Sequence, residues 1–318
     1  MAGRRPDPVA INGAMRVFDR RVVLVTGKGG VGKTVVASAL ALAAARSGRR
    51  VVLCETAGST RAAALFGHGA NTYTPTPLAP NLWGLSITPE RAIEEYLIRT
   101  LRFRKLYEMV FRNRVVGPFM DAVPGLHDLI QLGKAWDLER ATGRSGPEWD
   151  LIVVDAPATG HGLTMLASPR AMMELTRVGP FYENSKNIAE LFEDPTRCAA
   201  VLVSLPEELP VNETLDLWAR LEGLQSLVAG VVLNEVHPAP SIDRGAWDGL
   251  RGPLSAPPQG DARAVRWVDA AWRRLDLQAR ARARLDAVPR PLLELPFLFR
   301  RELGVGDLEV LATTLAVA

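Results

Sequence analysis

Cysteine is nearly absent from this chain: Cys54 and Cys198 are the only two in 318 residues. They match no CxxC or Cys/His ligand spacing, which excludes a disulfide scaffold and leaves no sequence case for zinc. Long apolar runs are missing too. The longest, Ala39 to Ala45, falls far below the roughly 20 residues that span a bilayer. The N-terminus carries Arg4 and Arg5 but continues Pro6-Asp7-Pro8, so residues 1–18 read as a loose tail, not a secretory signal. Charge of one sign is scarce: 38 Lys plus Arg against 35 Asp plus Glu leave a net +3. So small an excess gives no reason to expect nucleic acid as a partner. There is no Gly or Pro periodicity and no internal repeat. What is present, 47% hydrophobic and 23% charged residues, describes a well-mixed globular chain suited to a reducing, cytoplasmic setting. At about 100–200 residues per domain the length allows one large domain or two ordinary ones.

Along the chain, Val22 to Val25 is a short β-branched run ending at glycines, and Lys33 to Arg46 then has helix-forming Ala and Leu. Ser47-Gly48 stops that helix and Val51 to Cys54 reads as a second buried strand, so the first 55 residues form a βαβ unit with parallel strands. Further strands are predicted at 82–87, 151–154, 199–205, 228–233 and 292–295. The fold class is therefore α/β, a doubly wound, mostly parallel sheet. Two intervals, about 89–140 and 162–194, are too long and too helical for ordinary crossovers and read as a helical layer inserted into a single 1–318 domain. Residues 238–260, rich in Pro, Gly, Ser and Ala, read as a loop. Asp261 to Asp286 reads as a basic helix.

Between the first strand and the first helix lies Gly27-Lys28-Gly29-Gly30-Val31-Gly32-Lys33-Thr34. This satisfies GxxxxGK[ST] in the strand–loop–helix context that its mechanism requires. The glycines let successive amides face a phosphate, and the following helix adds its positive end. Lys33 is then placed to bridge β- and γ-phosphates of ATP, and the Thr34 hydroxyl to ligate Mg²⁺. Val153-Val154-Asp155 ends an apolar strand with an acid, as a carboxylate serving Mg²⁺ at the sheet's carboxyl edge should.

The octapeptide resembles the deviant phosphate loop of the signature-lysine ATPases, which include arsenite-pump, septum-site, plasmid-partition and nitrogenase-iron families. There the lysine at the Lys28 position crosses a dimer to the partner's nucleotide. Asp155-Ala156-Pro157-Ala158-Thr159-Gly160-His161 resembles the second switch of the arsenite-pump and tail-anchored-protein targeting ATPases, usually written DTAPTGH. Its proline comes one place early, and Ala158 stands where the family has proline. Ser204 to Thr214 is similar to that family's post-strand segment, Val232-Leu233-Asn234 to its adenine-reading strand end, and Leu295-Pro296-Phe297 to its base-covering loop. The resemblance runs from Val22 nearly to the C-terminus. It implies an ATP- and Mg²⁺-dependent ATPase working as a homodimer, or as a heterodimer with a paralogue, on a hydrophobic client helix or a membrane protein.

Three departures qualify that. Aligned on Phe66-Gly67, Ala57 stands where the family's first switch has its water-positioning Asp. Glu55, two residues upstream and on the same strand face, is the candidate substitute; slow hydrolysis is expected, with Thr159 or His161 available to orient water. The zinc-binding CxxC of the targeting branch and the arsenite-binding cysteines of the pump branch are missing. The alternatives are a catalytically weak ATP-binding subunit paired with a paralogue, and a partition or septum-site ATPase acting on DNA or membrane. Against the latter, Ala312 to Ala318 carries no basic residue that would suit a lipid anchor. Met109, Phe111, Phe119, Met120, Met165, Met172, Met173, Phe181 and Tyr182 gather in the helical layer, as a client groove or as ordinary helical core. Arg99, Arg102, Arg104, Lys105, Arg112 and Arg114 form a basic cluster there, most simply a solvated face.

Overall fold

A computed structural model describes residues 15–56, 59–101, 123, 125–143, 146–157, 159–255 and 262–316; side chains are described for all of these except 97–101, 159–164, 255 and 262. Strand β1 (Val22–Gly27) is buried throughout. Its Val22 and Leu24 join the core on one face of the sheet, while Val23 and Val25 join the core on the other. β2 (Val51–Glu55) divides in the same way, with Val52 and Cys54 on one face and Val51 and Leu53 on the other. Strands apolar on both faces belong inside a parallel sheet covered by helices. The eight-stranded sheet runs β10 (Leu292–Pro296), β9 (Val228–Val236), β8 (Cys198–Ser204), β1, β7 (Leu151–Asp155), β2, β4 (Leu82–Ser86), β3 (Thr76–Ala79). Every pairing is parallel except β3 with β4. The expected α/β class is observed. β3 was not among the predicted strands; it lies at the sheet edge, where a proline such as Pro77 is tolerated. A two-residue ribbon, β5 (Thr142–Gly143) with β6 (Gly146–Pro147), stands apart.

The helix α1 (Lys33–Arg46) is buried from Val36 to Ala45, which explains its lack of a polar stripe. The short α2 (Arg61–Leu65) follows β2. α3 (Pro89–Leu101), α4 (Leu126–Arg140), α5 (Thr159–Thr176) and α6 (Pro180–Phe192) form the expected helical layer. The two inserted intervals do meet: the Tyr96 and Phe181 rings lie 5.1 Å apart and Asn184 Nδ2 donates to Tyr96 OH at 3.1 Å. Met165 and Met172 are core residues. The cavity between α3, α4 and α6 measures about 140 Å³. That is below the roughly 300–1,000 Å³ of drug-sized ligand pockets, yet larger than the voids of a close-packed core. Met109, Phe111, Phe119, Met120 and the basic cluster from Arg102 to Arg114 lie outside the described residues, as does the Arg99 side chain.

Two expectations need correction. The segment 238–260 was read as a loop, yet α8 (Arg244–Ser255) forms within it, after α7 (Glu208–Arg220) and before the basic α9 (Ala262–Leu285). Tertiary contact overrides the weak propensity of its glycines: Trp247 is buried, with Nε1 donating to Asp269 of α9 at 2.9 Å, and Asp243 caps the helix by accepting from Ala246 N at 2.8 Å. The tail assigned to 1–18 is also too long. Met15 and Val17 are buried, and the Met15 side chain fills the space beside Gly230, where a Cβ would meet its Sδ at 2.5 Å. The closing helix α10 (Val305–Leu315) packs its Leu308, Leu311, Ala312 and Leu315 into the same core as α1. Among the described residues no helix is long and apolar enough to cross a membrane.

Candidate nucleotide site

Register brings the site together. Val25 pairs with Asp155, Asp155 with Glu55, and Glu55 with Ser86, so the ends of four adjacent parallel strands form one carboxyl edge. Brief glycine geometry then shapes the loop after β1. Gly27 has φ 152°, and a Cβ there would sit 2.3 Å from the Val203 carbonyl oxygen. Gly32 has φ 83°, and its Cβ would sit 2.3 Å from Asn234 Nδ2. Only glycine fits both positions. A cleft of about 610 Å³ opens above the edge, lined by Gly29, Gly30, Gly32, Lys33, Thr34 and Asp155 together with Thr56, Ser59 and Arg61. Its volume lies in the range of small-molecule sites.

Lys33 and Thr34 open α1 and so project into this cleft. Lys33 Nζ donates to the Lys28 carbonyl at 2.9 Å. Burial depresses its pKa, Asp155 opposes that by attraction, and Arg61 adds to it by repulsion. The Thr34 hydroxyl donates to Asp155 Oδ2 at 2.6 Å. Asp155 Oδ1 is buried with no hydrogen-bond partner. Burial pushes the Asp155 carboxyl up to about 6, more than the Thr34 hydrogen bond and the charges of Lys33 and Arg61 pull it down. An acceptor left over beside a hydroxyl, in a cleft with a glycine loop, suits a hard cation with oxygen ligands. Among the described residues no group of three or more acids, cysteines and histidines could cage a metal unaided. That fits Mg²⁺, which takes one or two protein oxygens and completes its shell with water and phosphate.

Glu55 is a correction. It is 0% exposed, and its Oε1 accepts from Ala62 N at 2.8 Å and Ser59 Oγ at 3.1 Å, while Oε2 accepts from Asn71 Nδ2 at 2.7 Å. A carboxylate so enclosed cannot orient water; it anchors the loop before α2 to the end of β2. Replacing Asn71 with alanine should leave a buried carboxylate oxygen short of a partner and cost about 1–3 kcal/mol. A lowered melting temperature and faster amide exchange at 59–62 are the expected readouts, and an unchanged melt counts against the anchor. Ala57 and Ala158 lie outside the described residues, and the Thr159 and His161 side chains likewise.

Asn234 is 4% exposed and donates from Nδ2 to the Val31 carbonyl at 3.0 Å. One amide N–H thus braces the glycine loop, while the second N–H and Oδ1 remain to meet a base. Pro296 ends β10 beside β9, and Phe297 follows it, its N donating to Val236 O at 2.9 Å. The Phe297 ring stacks on His237 at 4.2 Å, and Phe299 meets it edge-on at 4.9 Å. Lys28 pairs with Glu213 of α7, Nζ to Oε1 at 3.0 Å. His237, Asn71, Arg61 and this use of Glu213 were missed in sequence because none belongs to a local motif; each is brought in by the sheet edge.

Residues 20–180 match the family of anion-transporting ATPases. The chain belongs to this ArsA-type ATPase family. It is 34% identical over 230 residues to the ATPase BagA of Mycobacterium tuberculosis, a match covering 70% of this chain and 67% of that one. It is 27% identical over 251 residues to the arsenical pump-driving ATPase of Escherichia coli, covering 70% of this chain and 40% of the relative. It is 26% identical over 174 residues to ATPase ASNA1 homolog 1 of Paramecium tetraurelia, covering 54% and 50%. In this ArsA-type chain the glycine loop, Lys33, Thr34 and Asp155 all fall within the matched span.

Proposed function

We propose that this chain binds Mg²⁺-ATP in the cleft and hydrolyses it within a dimer, of itself or with a paralogue, whose closure acts on a client or membrane partner. The observation that carries the reading is Asp155 beneath the glycine loop, one oxygen bonded to Thr34 and the other without a partner. The loop amides and Lys33 bind the β- and γ-phosphates, while Thr34 and Asp155 hold Mg²⁺. Bound there, Mg²⁺ supplies neutralisation of phosphate charge. Asn234 keeps the loop curled; Pro296, Phe297 and His237 give the base an aromatic wall. Leu209 and Phe299, 58% and 71% exposed, follow β8 and β10 at the same sheet edge and suit an interface with a second copy.

Lys28 reaches the opposite nucleotide only by leaving Glu213. Their pair, 24% and 33% exposed at the side chains, is worth about 0.5–1 kcal/mol, so the exchange is easy. Glu213→Gln should raise the ATP-dependent dimer fraction roughly two- to fivefold at concentrations near the midpoint, read by sedimentation; a fall would count against this exchange. The test of the whole reading is phosphate release and sedimentation with Mg²⁺-ATP for the unmodified chain, Lys28→Ala and Lys33→Ala. A chain that stays monomeric, with turnover indifferent to Lys28, ends the dimer mechanism.

A second reading has its own support. Among the described residues Asp155 is the only acid lining the cleft, which favours an ATP-holding subunit with slow turnover beside an active paralogue. A rate no higher than that of Lys33→Ala, with tight ATP binding kept, selects it.

A further inference from the structure

One cation of the cleft has no role in that account. Arg61 opens α2 and lines the same cleft as Lys33, Thr34 and Asp155. Its side chain is exposed and has no hydrogen-bond or ion-pair partner among the described residues. Other arginines are tied down: Arg21 and Arg197 to Glu139, Arg170 to Glu193, Arg282 to Glu294. Arg61 is near enough to Lys33 and Asp155 for its charge to bear on both.

Its backbone, in contrast, is closely held. Glu55 accepts from Ser59 Oγ and Ala62 N on either side of Arg61, Ser86 Oγ donates to the Ser59 carbonyl at 2.9 Å, and Ala62 and Ala63 are wholly buried. A fixed Cα carrying an exposed, unpartnered guanidinium beside a phosphate-binding loop leaves that guanidinium available to an anion, and the planar fork matches phosphate oxygens in pairs. From Thr56 to Leu65 the sequence contains no acid at all. Arg61 is the one charged residue of that stretch, so the charge it can offer a bound anion is positive.

We propose that Arg61 is a catalytic residue that binds the terminal phosphoryl group of ATP from within the same chain, with Glu55 as the residue that positions it. This rests on the phosphate-site reading above. In the step it serves, a water oxygen forms a bond to the γ-phosphorus while the bond from that phosphorus to the β–γ bridging oxygen breaks. The electron pair leaves with ADP and the water's proton passes to the phosphate product. Arg61 neither gains nor loses a proton; its fixed positive charge offsets the charge on the transferring oxygens.

The test uses the full chain with Arg61→Ala and Arg61→Lys, and Lys33→Ala as the control for the site. Affinities for ATP and ADP are measured by titration, and phosphate release under single turnover. For Arg61→Ala we expect ATP to bind about 10- to 100-fold more weakly, as for loss of one or more charge-assisted hydrogen bonds. ADP affinity should stay within about threefold, and phosphate release should fall at least tenfold where it is measurable. Arg61→Lys should recover part of both effects. The ATP-to-ADP preference reads out even if turnover is slow. Equal loss for ATP and ADP with a lowered melting temperature means a structural role and overturns the proposal. So does an Arg61→Ala chain with unchanged preference. Failure of the unmodified chain to bind either nucleotide, or a Lys33→Ala chain that binds like it, overturns the phosphate-site reading instead.

Discussion

Lys33→Ala should abolish measurable turnover and weaken ATP binding more than 100-fold. The ammonium is half-buried beside Asp155, and burial already works against its charge; the arrangement repays that cost only when anionic phosphate oxygens lie next to it. Two charge-assisted hydrogen bonds at about 1.5–3 kcal/mol each correspond to that loss. Folding should be little affected, since the only hydrogen bond removed is the one to the Lys28 carbonyl. Calorimetric titration with Mg²⁺-ATP checks it. Binding within threefold of the unmodified chain would falsify the assignment of this loop to phosphate.

Asp155→Asn should separate stability from activity. Burial holds the Asp155 carboxyl at about 6, above the roughly 3.9 of an unfolded chain. A carboxyl raised on folding favours the native state in its protonated form. The penalty is absent below about pH 4, grows as pH rises through 6, and is full above that. It amounts to roughly 3 kcal/mol at neutral pH. The groups facing this carboxylate are Thr34, Lys33, Glu55 and Arg61. Removing the charge should therefore raise the melting temperature at pH 7.5, in chelator and without nucleotide, with the gain vanishing near pH 4. Mg²⁺-dependent phosphate release should fall at least 100-fold in the same variant. A variant equally stable at both pH values, or one that keeps its Mg²⁺-dependent rate, would defeat this account of the site.

Legibility differed between neighbouring residues of the same edge. The glycine loop, Lys33 and Thr34 were readable because their pattern is local: a tight turn between a buried strand and a helix needs those residues at those offsets; Asp155 was readable only as an acid ending an apolar strand, and its place beside Thr34, 121 residues away, is set by the pairing of β1 with β7. Glu55 was misread. As a strand-end acid it has the same residue type and the same face as a water-positioning group, and what decides its role is Asn71, sixteen positions on, together with Ala62 and Ser59. The bond from Asn234 to the Val31 carbonyl was not legible for a similar reason: the two lie 203 residues apart. α8 was hidden by Gly245, Gly249, Gly252 and Pro253, whose weak propensity is overcome by one buried tryptophan.

The linear order of residues, by itself, determined the α/β class, the glycine loop between β1 and α1 and the acid that ends β7, since periodicity, turns and helix starts depend on residues within a few positions of each other. Only the tertiary structure decided which charges are spent on the fold and which are left to act. Glu55 is consumed by three hydrogen bonds, while the Arg61 side chain, six residues later, stands in the cleft with none among the described residues. That difference arises where the ends of β1, β2, β4 and β7 converge, because hydrogen bonding and burial are settled by neighbours in space rather than in sequence.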